Sequence, residues 1–138
     1  MTAAFSPEDA LAAVMIATSA ADQELSDKEL LSIERMIDAL PAFAGYDRDR
    51  LPAVFRTVFE LFEDEDGIAA LVGLVKEALP PGLNETAYAL ACDVAAADGS
   101  VDMAELSLLE ILRHDLEVDR LTSAAIERGA RARHTRIS

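Results

Sequence analysis

The sequence predicts an all-α protein: a compact bundle of six to seven helices in one domain over residues 1–138. Three observations carry that reading. Every long segment repeats its apolar residues three and four apart, the spacing of one helix face. No stretch alternates apolar and polar residues at period two, so no strand is expected. A helix–acidic turn–helix unit occurs twice, over about residues 7–40 and 84–117, at an offset of 76. Two such units can pack against each other with pseudo-twofold symmetry.

The elements follow in order. Ser6-Pro7-Glu8-Asp9 is a helix start, with Ser6 as cap and Pro7 in the first turn. Leu11, Val14, Met15 and Thr18 then share a face, and this helix should end near Ala21. Ser26-Asp27-Lys28-Glu29 opens a second helix as a capping box. Leu30, Ile33, Ile37 and Leu40 continue its face until Pro41 closes it. A third helix is expected from about Arg48 to Phe62, with Pro52 tolerated in its first turn and Phe55, Val58, Phe59 and Phe62 on one stripe. Glu63-Asp64-Glu65-Asp66-Gly67 breaks the chain as a solvated turn. Ile68, Leu71, Val72, Val75 and Leu79 mark a fourth helix, and Pro80-Pro81-Gly82 stops it. Asn84 is expected to cap a fifth, through Ala87, Leu90, Ala91 and Val94. Asp102-Met103-Ala104-Glu105 starts the sixth, with Leu106, Leu109 and Leu112 facing inward. A basic last helix and tail occupy 119–138. Small residues crowd the first and fifth helices, Ala12, Ala13 and Ala17 in one and Ala87, Ala91 and Ala95 in the other, so their axes can approach closely.

Composition narrows the function. Hydrophobic residues make up 51% of the chain, enough to build a core. The single cysteine, Cys92, excludes a disulfide framework and reads as a small buried hydrophobe. No transmembrane span is expected, and Met1 to Asp9 lacks the basic region of a signal peptide, so a cytoplasmic protein is expected. The net charge is −14, made of −18 over residues 1–119 and +4 over 120–138. Such a body repels nucleic acid and attracts cations or a basic partner. The tail arginines Arg128, Arg131, Arg133 and Arg136 read as a solvated helix end. His114 and His134 sit apart, and no catalytic triad order or glycine-rich phosphate loop is present, so no enzyme is expected.

The duplicated acidic turn is the feature with chemistry in it. Asp22 lies seven residues before Glu29, and Asp98 seven before Glu105. The second copy matches the latter part of a calcium-binding EF-hand loop. Its first part fails, because Val94 and Ala96 stand where oxygen ligands are needed. A metal therefore needs both turns: Asp22, Glu29, Asp98 and Glu105 as carboxylates, with Ser26 or Asp102 completing the shell of a divalent cation, calcium favoured. The competing reading is capping alone. Ser26 and Asp102 are then N-caps, and Glu29 and Glu105 return a hydrogen bond to each cap's backbone N–H. Glu34 and Glu110 recur at the same offset and read as exposed helix positions or outer ligands.

At these residues the chain resembles a known family. Ala-Ala-Asp-Gly-Ser-Val-Asp-Met-Ala-Glu at 96–105, with its degenerate copy at 20–29, is similar to the TerB-like domains of bacterial tellurite-resistance proteins. The resemblance spans roughly 8–120. It implies an all-helical fold of two related halves and an acidic site for divalent cations. It also implies a role in tellurite resistance or stress response, through protein partners in a complex near the membrane. Carried over by position, the family's acidic residues fall on Asp22, Glu29, Asp98 and Glu105. One departure is Gln23, which stands where the second copy has Gly99. The expected function is thus a non-enzymatic cation-binding domain. The alternative is a metal-free acidic module that docks a basic protein segment.

Overall fold

A computed structural model describes residues 5–21, 25–97, 99 and 102–137, and among these described residues the chain forms seven α-helices and no strand. They are α1 (Pro7–Ser19), α2 (Asp27–Ala39), α3 (Leu51–Phe62), α4 (Gly67–Ala78), α5 (Asn84–Ala97), α6 (Met103–Asp115) and α7 (Arg120–Arg133). Two short 3-10 turns, Pro41–Phe43 and Arg48–Arg50, lie between α2 and α3.

The centre of the bundle is α1. Eleven of its thirteen residues are buried, from Asp9 to Ser19. A helix without a polar face must be covered on every side. Five helices do this: α2, α3, α4, α5 and α6 all pack against it. Its alanines, Ala10, Ala12, Ala13 and Ala17, have no exposed surface to speak of, so their neighbours sit close to the helix backbone. Larger side chains from the covering helices fill the remaining space, among them Ile33, Val58, Val75, Leu90 and Leu108. Thr18 is fully buried without penalty because its hydroxyl donates to the Val14 carbonyl at 2.8 Å.

Burial of α1 extends to a carboxylate. Ser6 and Asp9 form a complete capping box: the Ser6 hydroxyl accepts from the Asp9 N–H at 3.0 Å, and Asp9 accepts from the Ser6 N–H at 2.9 Å. Asp9 is only 1% exposed, so its remaining lone pairs need donors. They come from about forty residues further along the chain. Tyr46 donates its hydroxyl at 2.7 Å, and the Arg50 guanidinium donates from Nε at 3.1 and 3.2 Å and also from Nη2. Burial alone pushes the Asp9 carboxyl up. The Arg50, Ser6 and Tyr46 hydrogen bonds outweigh it and hold the group down at about 2.

The other helices depart from their expected form in instructive places. Before α3 the chain takes a 3-10 turn over Arg48–Arg50, capped by Asp47, and the α-helix begins only at Leu51. Pro52 then sits in the first turn, where its missing N–H has no partner to lose. Asn84 is not a cap. It is the first residue of α5, and its side-chain amide donates to the Leu116 carbonyl at 3.1 Å, tying the start of α5 to the end of α6. In α6 the inward face is Glu105, Leu108, Leu112 and Leu116, whereas Leu106 is 49% exposed. Of the expected inward set, Leu112 is buried and Leu109 is partly buried against the core, and Leu106 alone turns outward. In α3, Leu51, Val54 and Val58 are the buried stripe, and Phe59 is exposed.

The acidic run Glu63–Asp66 is an exposed turn between α3 and α4, as its charge requires. Gly67 ends it. A Cβ there would lie 1.7 Å from the Leu61 carbonyl oxygen, a contact with backbone that no side-chain movement relieves. At the far end of the chain, α7 lies against α5. The buried Tyr88 donates its hydroxyl to Glu127 at 2.6 Å, and Arg133 donates to Asp93 at 2.6 Å. Arg133 is thus held by a partner, while Arg128, Arg131 and Arg136 are exposed, as expected of a helix end.

Two outcomes test this account. Asp9 has a folded value of about 2 against an ordinary 3.8, so its stabilisation is complete above pH 3.8 and is lost as pH falls from there through about 2. Asp9→Asn is therefore expected to lower stability by about 2 kcal/mol at neutral pH in urea unfolding, with the difference from the native protein closing at strongly acid pH. Gly67→Ala must move the α3–α4 turn and should cost roughly 1–3 kcal/mol, read in the same experiment.

Candidate cation site at the two acidic turns

The two turns begin α2 and α6, and their caps are built alike. Ser26 has extended backbone and its hydroxyl accepts from the Glu29 N–H at 3.1 Å. Asp102 has extended backbone and its Oδ1 accepts from the Glu105 N–H at 2.8 Å. Each bond satisfies one of the helix's open N–H groups. The capping half of the sequence reading is therefore present in both copies. The return bond differs at the first turn. Glu29 Oε1 accepts from the Ser26 hydroxyl at 3.0 Å, not from the Ser26 backbone N–H. A complete capping box, with the return bond to the backbone, is present at Ser6 and Asp9.

The two glutamates differ in setting. Glu29 is half-buried, beside an exposed Ser26. Glu105 is only 4% exposed, because the face of α6 that carries Leu108 and Leu112 also carries it into the bundle. A glutamate that serves only as a cap residue has no need to leave water, and a buried carboxylate is costly unless charge or hydrogen bonds meet it. Asp22 and Asp98, the other two carboxylates of the reading, lie outside the described residues.

A cavity of about 180 Å³ lies between the start of α2 and the ends of α1 and α5. Ser26 and Glu29 form one wall, Ser19 at the end of α1 another, and Val94 and Ala97 of α5 the third. Ala97 is the last residue of α5 and immediately precedes Asp98 in the chain. The first acidic turn thus faces the point from which the second departs. Gly99 continues that departure with a φ of +82°, and its N–H donates to the Ala96 carbonyl at 3.2 Å. The left-handed backbone favours glycine there, which accounts for the glycine in the second copy. Lys28 also lines the cavity, and its ammonium competes with any cation for the space. Asp102 and Glu105 do not line it; they sit together at the start of α6. Among the described residues, no group of three or more His, Cys, Asp or Glu side chains is arranged around one point. The oxygen donors present suit a hard cation such as calcium or magnesium better than a soft one.

Other residues flagged by type have plain structural roles. Glu34 pairs with Arg48, which also reaches Asp38 at 3.3 Å, and Glu110 is exposed. His114 ends α6 beside Asp115, and His134 caps α7 with Nε2 3.5 Å from Asp93. Cys92 is buried on α5, and burial pushes its thiol up to about 11. Sequence reasoning missed the Asp9–Tyr46–Arg50 cluster. Its signal was local: an acid three residues after Ser6 completes a capping box. Nothing local foretold Tyr46 or Arg50. Among the described residues, no helix is long and apolar enough to cross a membrane.

Against known proteins, the family model described as tellurite resistance protein TerB matches residues 8–128. No curated protein and no solved structure matches the chain.

The buried thiol gives a direct check on Cys92. With the thiol held up at about 11 by burial, alkylation by iodoacetamide at neutral pH should run roughly a hundredfold slower than for a free thiol, and unfolding in urea should restore the ordinary rate.

Proposed function

We propose a function from one premise: the chain belongs to the TerB family of tellurite resistance proteins. On that premise it is a non-enzymatic helical domain that binds a divalent cation, calcium in first place, where its two acidic turns meet. The cation orders the turns, and the ordered surface engages protein partners in a cytoplasmic stress response. The pairing of units 7–40 and 84–117 about a pseudo-twofold axis belongs to the same proposal, since it brings equivalent turns together. The observation that carries it is the cavity joining Ser26 and Glu29 to the end of α5, one residue before Asp98. Within this reading the ligands are Asp22, Glu29, Asp98 and Glu105, with Ser26 and Asp102 as auxiliary oxygens.

A second reading has its own support. The N-cap bonds from Ser26 and Asp102 account for the cap-to-glutamate spacing with no ion. The domain is then a metal-free module whose acidic body, −18 over residues 1–119, docks a basic protein segment.

Titration calorimetry with calcium, magnesium and manganese separates the two. Binding accompanied by a rise in melting temperature supports the first reading. Glu29→Gln and Glu105→Gln each keep a side-chain oxygen but remove a charge, so each should weaken calcium binding by roughly tenfold or more. The double variant should be non-additive if both bind one ion. Stability without the ion should change little at the half-buried Glu29, within about half a kcal/mol. No binding of any of the three ions at millimolar concentration, or affinity unchanged in both variants, would falsify the shared site and leave the metal-free module.

A further inference from the structure

A second concave surface lies across α5 from the acidic turns. Val94 and Ala97 line the cavity described above, whereas Cys92, Ala95 and Ala96 floor a separate groove of about 790 Å³. Its walls are α6 and α7. On α6 the lining positions are Met103, Leu106, Ser107, Glu110 and Arg113; on α7 they are Arg120, Ser123, Ala124, Glu127 and Arg131. Both series place residues three, four and seven positions after their first member, so each wall is one helix face seen along three turns. Over ten residues of α6 that length is about 15 Å. Met103 is 75% exposed and Leu106 49%, an apolar lip left open to water.

The charges around the groove oppose the character of the chain. Asn84 bonded to Leu116 sets α6 antiparallel to α5. Tyr88 bonded to Glu127, and Asp93 to Arg133, set α7 parallel to α5. Arg113 and Arg120 therefore lie at one end of the groove and Arg131 at the other. None of these three arginines is in an ion pair among the described residues. Two acids also face the groove, Glu110 on the α6 wall and Glu127, which accepts the Tyr88 hydroxyl, on the α7 wall, so the three guanidiniums leave the lining at a net charge of +1 (three arginines less two glutamates). An open trough three turns long, with an apolar floor and lip and guanidiniums at both ends, matches an amphipathic helix laid into it. In a chain of net charge −14, a second copy is disfavoured by repulsion, and the guanidinium ends select an acidic partner.

We propose that the groove between α5, α6 and α7 docks an amphipathic helix of a partner protein, with an apolar stripe on the floor and acidic residues at both ends. This surface is independent of the cation site.

The test uses the full chain and a fluorescein-labelled synthetic helix of about 14 residues, with a leucine stripe and glutamates at both ends. A lysine-ended version and a scrambled version are the controls. Fluorescence anisotropy should show saturable binding of the glutamate-ended peptide at least tenfold tighter than either control, weakening as salt is raised. Leu106→Glu and, separately, Ala124→Glu place a carboxylate in the groove at exposed positions and should each weaken binding at least tenfold with an unchanged melting temperature. Arg120→Glu with Arg131→Glu should reverse the preference towards the lysine-ended peptide. Equal binding of all three peptides, no binding at millimolar protein, or insensitivity to both Leu106→Glu and Ala124→Glu overturns the proposal. So does a dimer in sedimentation equilibrium that Leu106→Glu dissolves, which assigns the groove to a second copy. Binding to phosphatidylglycerol vesicles in place of the peptide overturns it in favour of a lipid surface.

Discussion

The structure depends on hiding one helix on all sides. An ordinary surface helix buries a stripe and leaves the rest to water. Here α1 leaves nothing, so the positions of the covering helices follow from its shape. Alanines at Ala10, Ala12, Ala13 and Ala17 set how near they come, and Leu11, Met15 and Ile16 set where they interlock. α5 supplies a second small-residue surface and packs against it. That packing sets the ends of the two helices side by side, with Ser19 of α1 and Ala97 of α5 lining one cavity.

The same constraint explains the one buried ion pair near the start of the chain. A helix drawn wholly into the interior takes its capping residue with it. Asp9 loses water, and the chain must return two hydrogen-bonding side chains to it. Tyr46 and Arg50 do so from the segment between α2 and α3, which fixes that segment's 3-10 turn against α1. Arg50 is half-exposed, so its charge remains partly solvated while its donors serve the carboxylate. That arrangement avoids the full cost of burying both ions.

Helix number, order and class were legible in the sequence because spacing, prolines and caps are local signals. The limits of α2 and α6 followed from Ser26 and Asp102, and the caps formed as read. What failed required knowledge of three dimensions. The phase of α6 was ambiguous because its leucines, Leu106, Leu108, Leu109 and Leu112, satisfy two helical faces, and only the packing against α1 selects Leu108 and Leu112. Asn84 has the right chemistry for a cap, but a carbonyl from Leu116 stood within reach of it. The groove was invisible for the same reason: its apolar lip looked like core. Of the candidate site, Ser26, Glu29, Asp102 and Glu105 stand where helix-start chemistry put them, while the burial of Glu105 is a tertiary fact.

The placement of α1 also bears on how the protein is made. In chain order, α1 precedes every element that covers it. During synthesis it emerges ahead of the five helices that cover it, and its partner α5 follows more than sixty residues later. At ribosomal speeds of about 5–20 residues per second, that interval lasts several seconds. Throughout it, the nascent segment is a target for chaperones and for aggregation. Truncation before α5 should therefore leave the face of α1 that α5 covers open to water.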